Sequence, residues 1–254
     1  MTKEMSGLVT LVTGASSGIG EATAVRLAGK GFRVALVARR REKLDKIAAE
    51  INANGGTAHV VEADISLEHE AKRAVQEAID AFGRLDVLVN NAGVMLLGPA
   101  TKAPLEEWRQ MIAVNLNGLL YVTHAALPHL VEAAQTAERK VADIVNISSI
   151  AGRRTHAGSA VYCLTKYGVV GLSGTMREEL KKQHVRVSLV EPGVVDTELY
   201  EHSRAGVKEY MKDAISKKER LDPQDLAEAI EYIVTRPRHV IIDEIMITPT
   251  DGPF

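Results

Sequence analysis

An α/β fold is expected for this chain, a parallel sheet of about seven strands with helices on both faces, and three observations point to it. Short runs rich in Val, Ile and Leu recur along the 254 residues; most of them lack polar alternation; and longer segments with helical apolar spacing separate them. An apolar run without alternation suits a strand covered on both faces, which is where parallel strands lie. Regular exchange of strand and helix along the chain then places the layers as helix, sheet, helix.

The strands are read at Leu8–Val12, Arg33–Ala38, Ala58–Glu62, Val87–Val89, Ile144–Ile147, Arg186–Val190 and Val240–Ile247. The helices between them are read at Gly18–Lys30, Glu42–Asn54, Leu67–Phe82, Leu105–Ala133, Ala160–Gln183 and Pro223–Thr235. Asn54-Gly55-Gly56 ends the second helix with residues that tolerate positive φ, and Pro223 after Asp222 suits the first turn of the last. Gln135–Ala142 reads as a polar surface loop before a buried strand. Tyr200–Arg220 is charged and helix-prone and fits no strand, so a substrate lid is expected near 197–220. No repeat or low-complexity tract divides the chain, and one domain over 1–254 is expected.

Composition narrows the function. Apolar residues make up 46% and charged residues 25%, ordinary usage for a globular domain, and mean hydropathy is near zero. A net charge of -2, with no Lys/Arg stripe interleaved with aromatics, argues against nucleic acid as a partner. No apolar run is long enough to span a bilayer and the N-terminus lacks a signal-peptide core, so no membrane partner and a cytoplasmic location are expected. Cys163 stands alone, as suits a reducing compartment, and without an evident base it reads as a small packed hydrophobe. The eight histidines show no metal-ligand spacing, and no metal is expected.

Thr13-Gly14-Ala15-Ser16-Ser17-Gly18-Ile19-Gly20 follows the first strand directly and opens a helical pattern. Glycine lets backbone N–H groups approach a pyrophosphate, whose charge is stabilised at the helix N-terminus, and Gly20 lets that helix pack close. The spacing departs from the usual G-x-G-x-x-G, and a glycine-rich turn between packed elements is the alternative. Further along, Tyr162 and Lys166 lie one helical turn apart on one face. A phenol is a poor base at neutral pH, and a nearby ammonium favours its phenolate. Taken alone, the pair also suits a packed aromatic beside a surface charge.

With Asn90-Asn91-Ala92-Gly93 after the fourth strand, these pieces resemble the short-chain dehydrogenase/reductase family, in the family's order and over nearly the whole chain. The resemblance implies a Rossmann-type doubly wound domain with a nicotinamide cofactor. It implies that Gly14, Ser16, Ser17, Gly18 and Ile19 line that cofactor, that Asp64 and Ile65 border the adenine, and that Asn91, Ala92 and Gly93 sit near the ribose and nicotinamide. Pro192, Gly193 and Val195 then shape the nicotinamide pocket and Thr197 bonds the carboxamide. Where NAD-preferring relatives carry an acidic residue for the ribose 2′-OH, this chain has Ala38 followed by Arg39 and Arg40. A guanidinium there pairs with a 2′-phosphate, so Arg39, with Arg40, argues for NADP(H); a solvated helix start is the other reading, preferred for Arg41.

The family's catalytic set falls on Asn115, Ser149, Tyr162 and Lys166, with Ser149 thirteen residues before Tyr162 and Ser148 the less favoured serine. The implied activity is hydride transfer between the nicotinamide and a small carbonyl or secondary alcohol. Tyr162 exchanges the proton, Ser149 holds the substrate oxygen, Lys166 holds the ribose, and Asn115 holds a water in the proton relay. Residues 90–99 and 243–251 are similar to the branch containing clavulanate dehydrogenase and 3-hydroxy acid (serine) dehydrogenases. A small polar substrate, a hydroxy acid or related aldehyde, is expected from that likeness. Arg153 or Arg154 is a candidate for its carboxylate, His202 and Arg204 are further candidates, and Met95, Leu96 and Leu97 are expected to form an apolar wall. A solvated loop is the other reading of Arg153 and Arg154. A homodimer or homotetramer is expected from the long helices with Val169, Val170 and Leu172. The competing functions are a dinucleotide-sensing regulator without turnover, and an epimerase or dehydratase on the same fold.

Overall fold

The computed structural model describes residues 5–202, 204, 206–207, 209 and 219–251. Seven parallel strands form one sheet in the order β3-β2-β1-β4-β5-β6-β7, with β1 Val9–Thr13, β2 Arg33–Ala38, β3 Thr57–Glu62, β4 Val87–Asn90, β5 Ala142–Ile147, β6 Val185–Pro192 and β7 Glu244–Ile247. The central strands β1, β4, β5 and β6 are buried along their whole length, which explains why their runs are apolar without alternation.

Helices α1 (Gly18–Gly29), α2 (Arg41–Ala53) and α7 (Pro223–Val234) cover one face, where Leu27, Leu44, Ile47, Leu226 and Ile230 pack on Val12, Leu36 and Val190. Helices α3 (Glu68–Phe82) and α5 (Leu119–Thr136) cover the other, with Val75, Ala78, Val122 and Leu130 against Leu11, Val37, Leu88 and Ile144. α4 (Leu105–Ile112) runs into α5 through a π-helical turn at Ala113–Gly118, and α6 (Ala160–Leu180) completes the set. Asp222 caps α7 by accepting from the Gln224 amide, with Pro223 in the first turn, as its sequence predicts. Among the described residues no helix is long and apolar enough to cross a membrane.

Three boundaries differ from expectation. α5 continues to Thr136, so the loop before β5 is shorter than Gln135–Ala142. The single long helix expected over 105–133 is broken by the π turn, which no local residue announces. The last strand starts at Glu244 rather than Val240, because Arg186 Nη1 draws the carbonyls of Arg236, Pro237 and Val240 to itself at 3.1, 3.2 and 2.5 Å, and a chain folded around one guanidinium cannot lie in the ladder.

That Arg186 also forms a bidentate pair with Asp143 on β5, at 2.6 and 3.0 Å, and Arg139 Nη1 reaches the same carboxylate at 2.9 Å. Nearby Asp86 is fully buried, holds Arg84 and accepts from the Val9 amide at 2.9 Å. These charges fasten the N-terminal ends of the strands. The C-terminal ends carry the cleft, beside β1, where strand order reverses and β2 and β4 run out to either side.

Candidate active site

A cleft of about 450 Å³ opens over the C-terminal ends of the strands. It is lined by Gly14, Ser16, Ser17, Gly18, Ile19, Arg39, Arg40, Asp64, Ile65, Asn91, Ala92, Gly93, Ser149, Tyr162, Lys166, Pro192, Gly193, Val195 and Thr197, so residues from across the whole chain converge there. Asn115 lies just behind them.

The glycine turn is built for close approach. Gly14 and Gly18 have φ of +66° and +58°, and a Cβ on Gly14 would stand 2.8 Å from the Ala92 Cα. On Gly20 it would stand 2.4 Å from the Gly14 carbonyl oxygen, so the glycine there is a packing requirement. Ser17 precedes α1 without capping it through its side chain, leaving the first amides of that helix facing the cleft. The Asn91 amide is committed elsewhere than expected, since its Nδ2 donates to the carbonyls of Thr13 and Gly14 at 3.0 and 3.3 Å and braces the turn. Thr13 Oγ1 accepts from the Asn91 and Ala92 amides at 3.0 and 3.1 Å. The Asn-Asn-Ala-Gly segment therefore fixes the shape of the turn, and Gly93 faces Asn115 and Lys166.

At the end of β2 the two arginines part company. Arg39 is more than half exposed and has the Asp64 carboxylate 4.0 Å away. Arg40 crosses the glycine turn, donating to Ser16 Oγ at 3.1 and 2.9 Å and to Ser17 Oγ at 2.7 Å.

On the other side of the cleft, α6 delivers Tyr162 and Lys166. A chain of buried amides and hydroxyls sets its position: Asn90 donates to Asn146 Oδ1 and Thr123 Oγ1, Asn146 to Ser173 Oγ, and Ser148 Oγ to the Lys166 carbonyl. Both Ser148 and Ser149 line the cleft; Ser148 is a tether of the helix, whereas the Ser149 hydroxyl accepts from the Ala151 amide at 3.1 Å, lies 3.5 Å from the Pro192 carbonyl, and acts on the Tyr162 phenol as a neighbour that favours its ionised form. Asn115 sits in the π turn, its Oδ1 accepting from the Val94 amide at 2.8 Å and its Nδ2 donating to the Val94 carbonyl and Thr165 Oγ1 at 2.9 and 3.1 Å. Its side chain is a buried brace, with both amide hydrogens and one lone pair of Oδ1 engaged.

Burial governs the titration of the pair. It raises the Tyr162 phenol above its ordinary value, against the opposing effect of Ser149. Burial also lowers the Lys166 ammonium to about 8. Lys166 Nζ donates to the Ile147 carbonyl at 2.9 Å and stands 5.7 Å from the centre of the Tyr162 ring. The two residues share a helix face as their spacing requires, yet the phenol in this arrangement is held as a proton donor rather than a phenolate.

The substrate end is apolar, with Val94, Met95, Leu97, Ala157, Leu199 and Tyr200 on its walls and His156 exposed at its edge. Leu96 is buried in the cluster behind that wall. Arg153 is turned away: its Nε bonds Glu191 Oε1 at 2.7 Å, and it also pairs with Glu244, so the carboxylate it was expected to recognise is supplied by the protein itself. Arg154 is exposed and outside the cleft lining. Arg204 pairs with Glu107 at 2.8 Å, its guanidinium lying where a Cβ on Gly98 would be 2.5 Å from Nη2. His156, Glu198 and Tyr200 escape the sequence reading because His156 lies on a loop and the other two in a single short 3-10 turn, Glu198–His202, with no periodicity to mark them. Cys163 is buried against Ser159 Oγ.

Half of the expected lid, residues 203, 205, 208 and 210–218, lies outside the described residues. Its base is described. Val195 and Leu221 form a parallel bridge, with amide-to-carbonyl bonds at 2.9 and 3.0 Å, so the segment leaves and returns at one point beside the cleft.

A family model described as short chain dehydrogenase matches residues 8–208. An uncharacterized oxidoreductase of Staphylococcus haemolyticus is 35% identical over 97% of this chain and 99% of its own. Among solved structures, the closed form of a serine dehydrogenase complexed with NADP+ superposes with a TM-score of 0.89 at 32% identity, covering 97% of each chain. A metagenomic short-chain oxidoreductase in complex with NADP gives 0.81 at 35% identity, over 98% of this chain and 99% of its own.

Proposed function

Because this chain belongs to the short-chain dehydrogenase family, we propose that it is an NADP(H)-dependent oxidoreductase acting on a small carbonyl or secondary alcohol. The observation that carries the reading is the convergence, in one cleft, of an uncapped helix N-terminus behind a glycine turn, two arginines at the end of β2, and Ser149, Tyr162 and Lys166 on the opposite wall. NADP(H), when bound, supplies or accepts the hydride.

The protein groups divide the rest of the work. The amides at the start of α1 hold the pyrophosphate, and Arg39 with Arg40 holds the 2′-phosphate by charge-assisted bonds. The NADP-bound neighbours support this choice of cofactor. Ser149 fixes the substrate oxygen against the Tyr162 hydroxyl, which burial keeps protonated and ready to donate in the reductive direction. Lys166 holds the cofactor ribose and replenishes that proton, and Asn115 acts by locking Val94 and Thr165 around them. The walls exclude water and suit the apolar part of a small substrate. With Arg153 withdrawn, the hydroxy-acid reading rests on the likeness to serine dehydrogenase, and His156 is the candidate polar contact at the substrate end.

We further propose a homodimer or homotetramer. Val169 is buried with Leu119 and Leu189 inside the protomer, and Val170 and Leu172 are only partly covered by that cluster. Leu120, Leu164 and Tyr167 on α5 and α6 are exposed, at 44%, 56% and 43%. Apolar side chains grouped on two helices suit a self-complementary face.

The test of the main reading is a panel of alcohols and carbonyls assayed for NADP+ reduction and NADPH oxidation at 340 nm. Turnover with NADP(H) well above NAD(H) is the expected result. Tight cofactor binding with no turnover on any member would return the chain to the sensing role.

A further inference from the structure

We infer that Glu198 is an internal competitor of the cofactor's 2′-phosphate, a carboxylate of the protein's own that bonds Arg40 and Lys43 until the phosphate displaces it. The inference rests on the NADP(H) reading above and concerns a residue to which that reading gives no role.

The geometry is specific. Glu198 Oε2 is 2.7 Å from Arg40 Nη1, and Oε1 is 2.5 Å from Lys43 Nζ, so each oxygen of one carboxylate meets a different cation. Both cations stand at the beginning of α2, just after the end of β2, where a 2′-phosphate is read. Arg40 has little left to offer a second anion. Its Nε and Nη2 are on Ser16, Nη2 also meets Ser17, and Nη1 meets Glu198, which occupies both forked edges of the guanidinium. Arg39, half exposed and 4.0 Å from Asp64, remains open to solvent on the same rim.

Glu198 arrives from the far side of the cleft. It follows Thr197, whose methyl would touch a Cβ on Gly18 at 2.9 Å, and it lies at the described base of the expected lid. Lys43 and Arg40 hold its carboxyl down to about 2, so it is ionised throughout the working range of pH. A dianionic phosphate and this carboxylate repel each other and seek the same N–H groups. Once the phosphate engages Arg39, taking Arg40 requires Glu198 to leave. A cofactor without the 2′-phosphate makes no such demand. Coupling of this kind is reciprocal: whatever weakens the Glu198 pairs strengthens phosphate binding by the same factor. Both pairs are about half exposed, so the factor is modest, on the order of three- to tenfold.

The experiment titrates wild type and Glu198→Gln with 2′,5′-ADP and with 5′-AMP, which lacks the 2′-phosphate, by calorimetry at low salt. Gln keeps the volume and removes the charge, and matching melting temperatures establish that the fold is intact; Glu198→Ala repeats the measurement with the side chain removed. The expected result is 2′,5′-ADP binding about three- to tenfold tighter in both variants, with 5′-AMP unchanged and the gain shrinking as salt screens the charges. Unchanged or weaker 2′,5′-ADP binding would overturn the inference, weaker binding making Glu198 an orienting partner of Arg40. The NADP(H) reading is judged separately by the wild-type preference for 2′,5′-ADP over 5′-AMP. A preference without a gain in the variants sinks the competitor alone, and a gain without a wild-type preference sinks the cofactor reading alone.

Discussion

The two ends of the sheet both bury charge, and they treat it in opposite ways. At the N-terminal ends of the strands, Asp143 is 1% exposed and both its oxygens are matched by Arg186 and Arg139; Arg186 Nη1 and Arg139 Nη2 reach backbone carbonyls, which leaves Arg139 Nε as the one unmatched donor of the two guanidinium groups among the described residues. At the C-terminal ends, Lys166 is buried with one carbonyl partner and, among the described residues, no carboxylate within bonding distance, and α1 begins without a side-chain cap. Saturated charge closes a surface. Unsaturated charge in a cleft keeps its affinity for something else, and that contrast separates a fastening from a site.

The contrast breaks most visibly at its closed end. Asp143→Ala leaves two buried guanidinium groups without their counter-ion, and a loss of about 3–5 kcal/mol in unfolding free energy is expected from urea titration. Specific activity of whatever remains folded should stay near that of the wild type.

At the open end the order reverses. Tyr162→Phe keeps the ring and deletes the proton, so kcat should fall by about a hundredfold or more while the melting temperature hardly moves. A variant with wild-type kcat would remove Tyr162 from the chemistry.

Arg39→Ala should weaken NADPH by a factor of about ten to a hundred and NADH little, since a hydrogen bond to a charged partner is worth about 1.5–3 kcal/mol. Equal effects on the KM of both cofactors would make Arg39 a solvated helix start.

The smallest effect is a divergence with pH. Lys166 is lowered to about 8, so between that value and its ordinary 10.5 the unfolded chain binds the extra proton. This group's contribution to stability therefore rises with pH across that window, and the buried ammonium disfavours the fold below it. Activity should move the other way, falling as the ammonium is lost above about pH 8. The melting temperature of the wild type minus that of Lys166→Met should therefore rise from pH 7 to 10.5, and a difference that falls with pH would contradict the sign.

Strand positions were legible because burial on both faces writes itself as unbroken Val, Ile and Leu, and six of the seven begin within two residues of their expected place. The exception, Val240, is set by Arg186, which lies 54 residues away and contacts it only after folding. The same distinction runs through the site. Tyr162, Lys166 and the glycine turn are local patterns and were readable. The bracing role of Asn91, the pairing of Arg153 with Glu191 and the hold of Arg40 on Glu198 join residues 38 to 158 positions apart, with no periodicity to announce them. Side-chain chemistry was legible there, but the choice of partner was not.

The π turn at Ala113–Gly118 has a consequence for how this chain can change. One extra residue in a helical turn rotates everything after it by about 100° relative to an unbroken α-helix. Met111, ahead of the turn, joins the cluster behind Tyr162, whereas Val122 and Leu130, beyond it, pack on the sheet with α3. Substitutions alone leave that rotation in place, because it is a matter of residue count rather than residue type. Removing it takes a deletion, which would swing the apolar stripe of α5 off the sheet at the same stroke. The brace at Asn115 is thereby protected from gradual loss: the core must come apart before the turn can straighten.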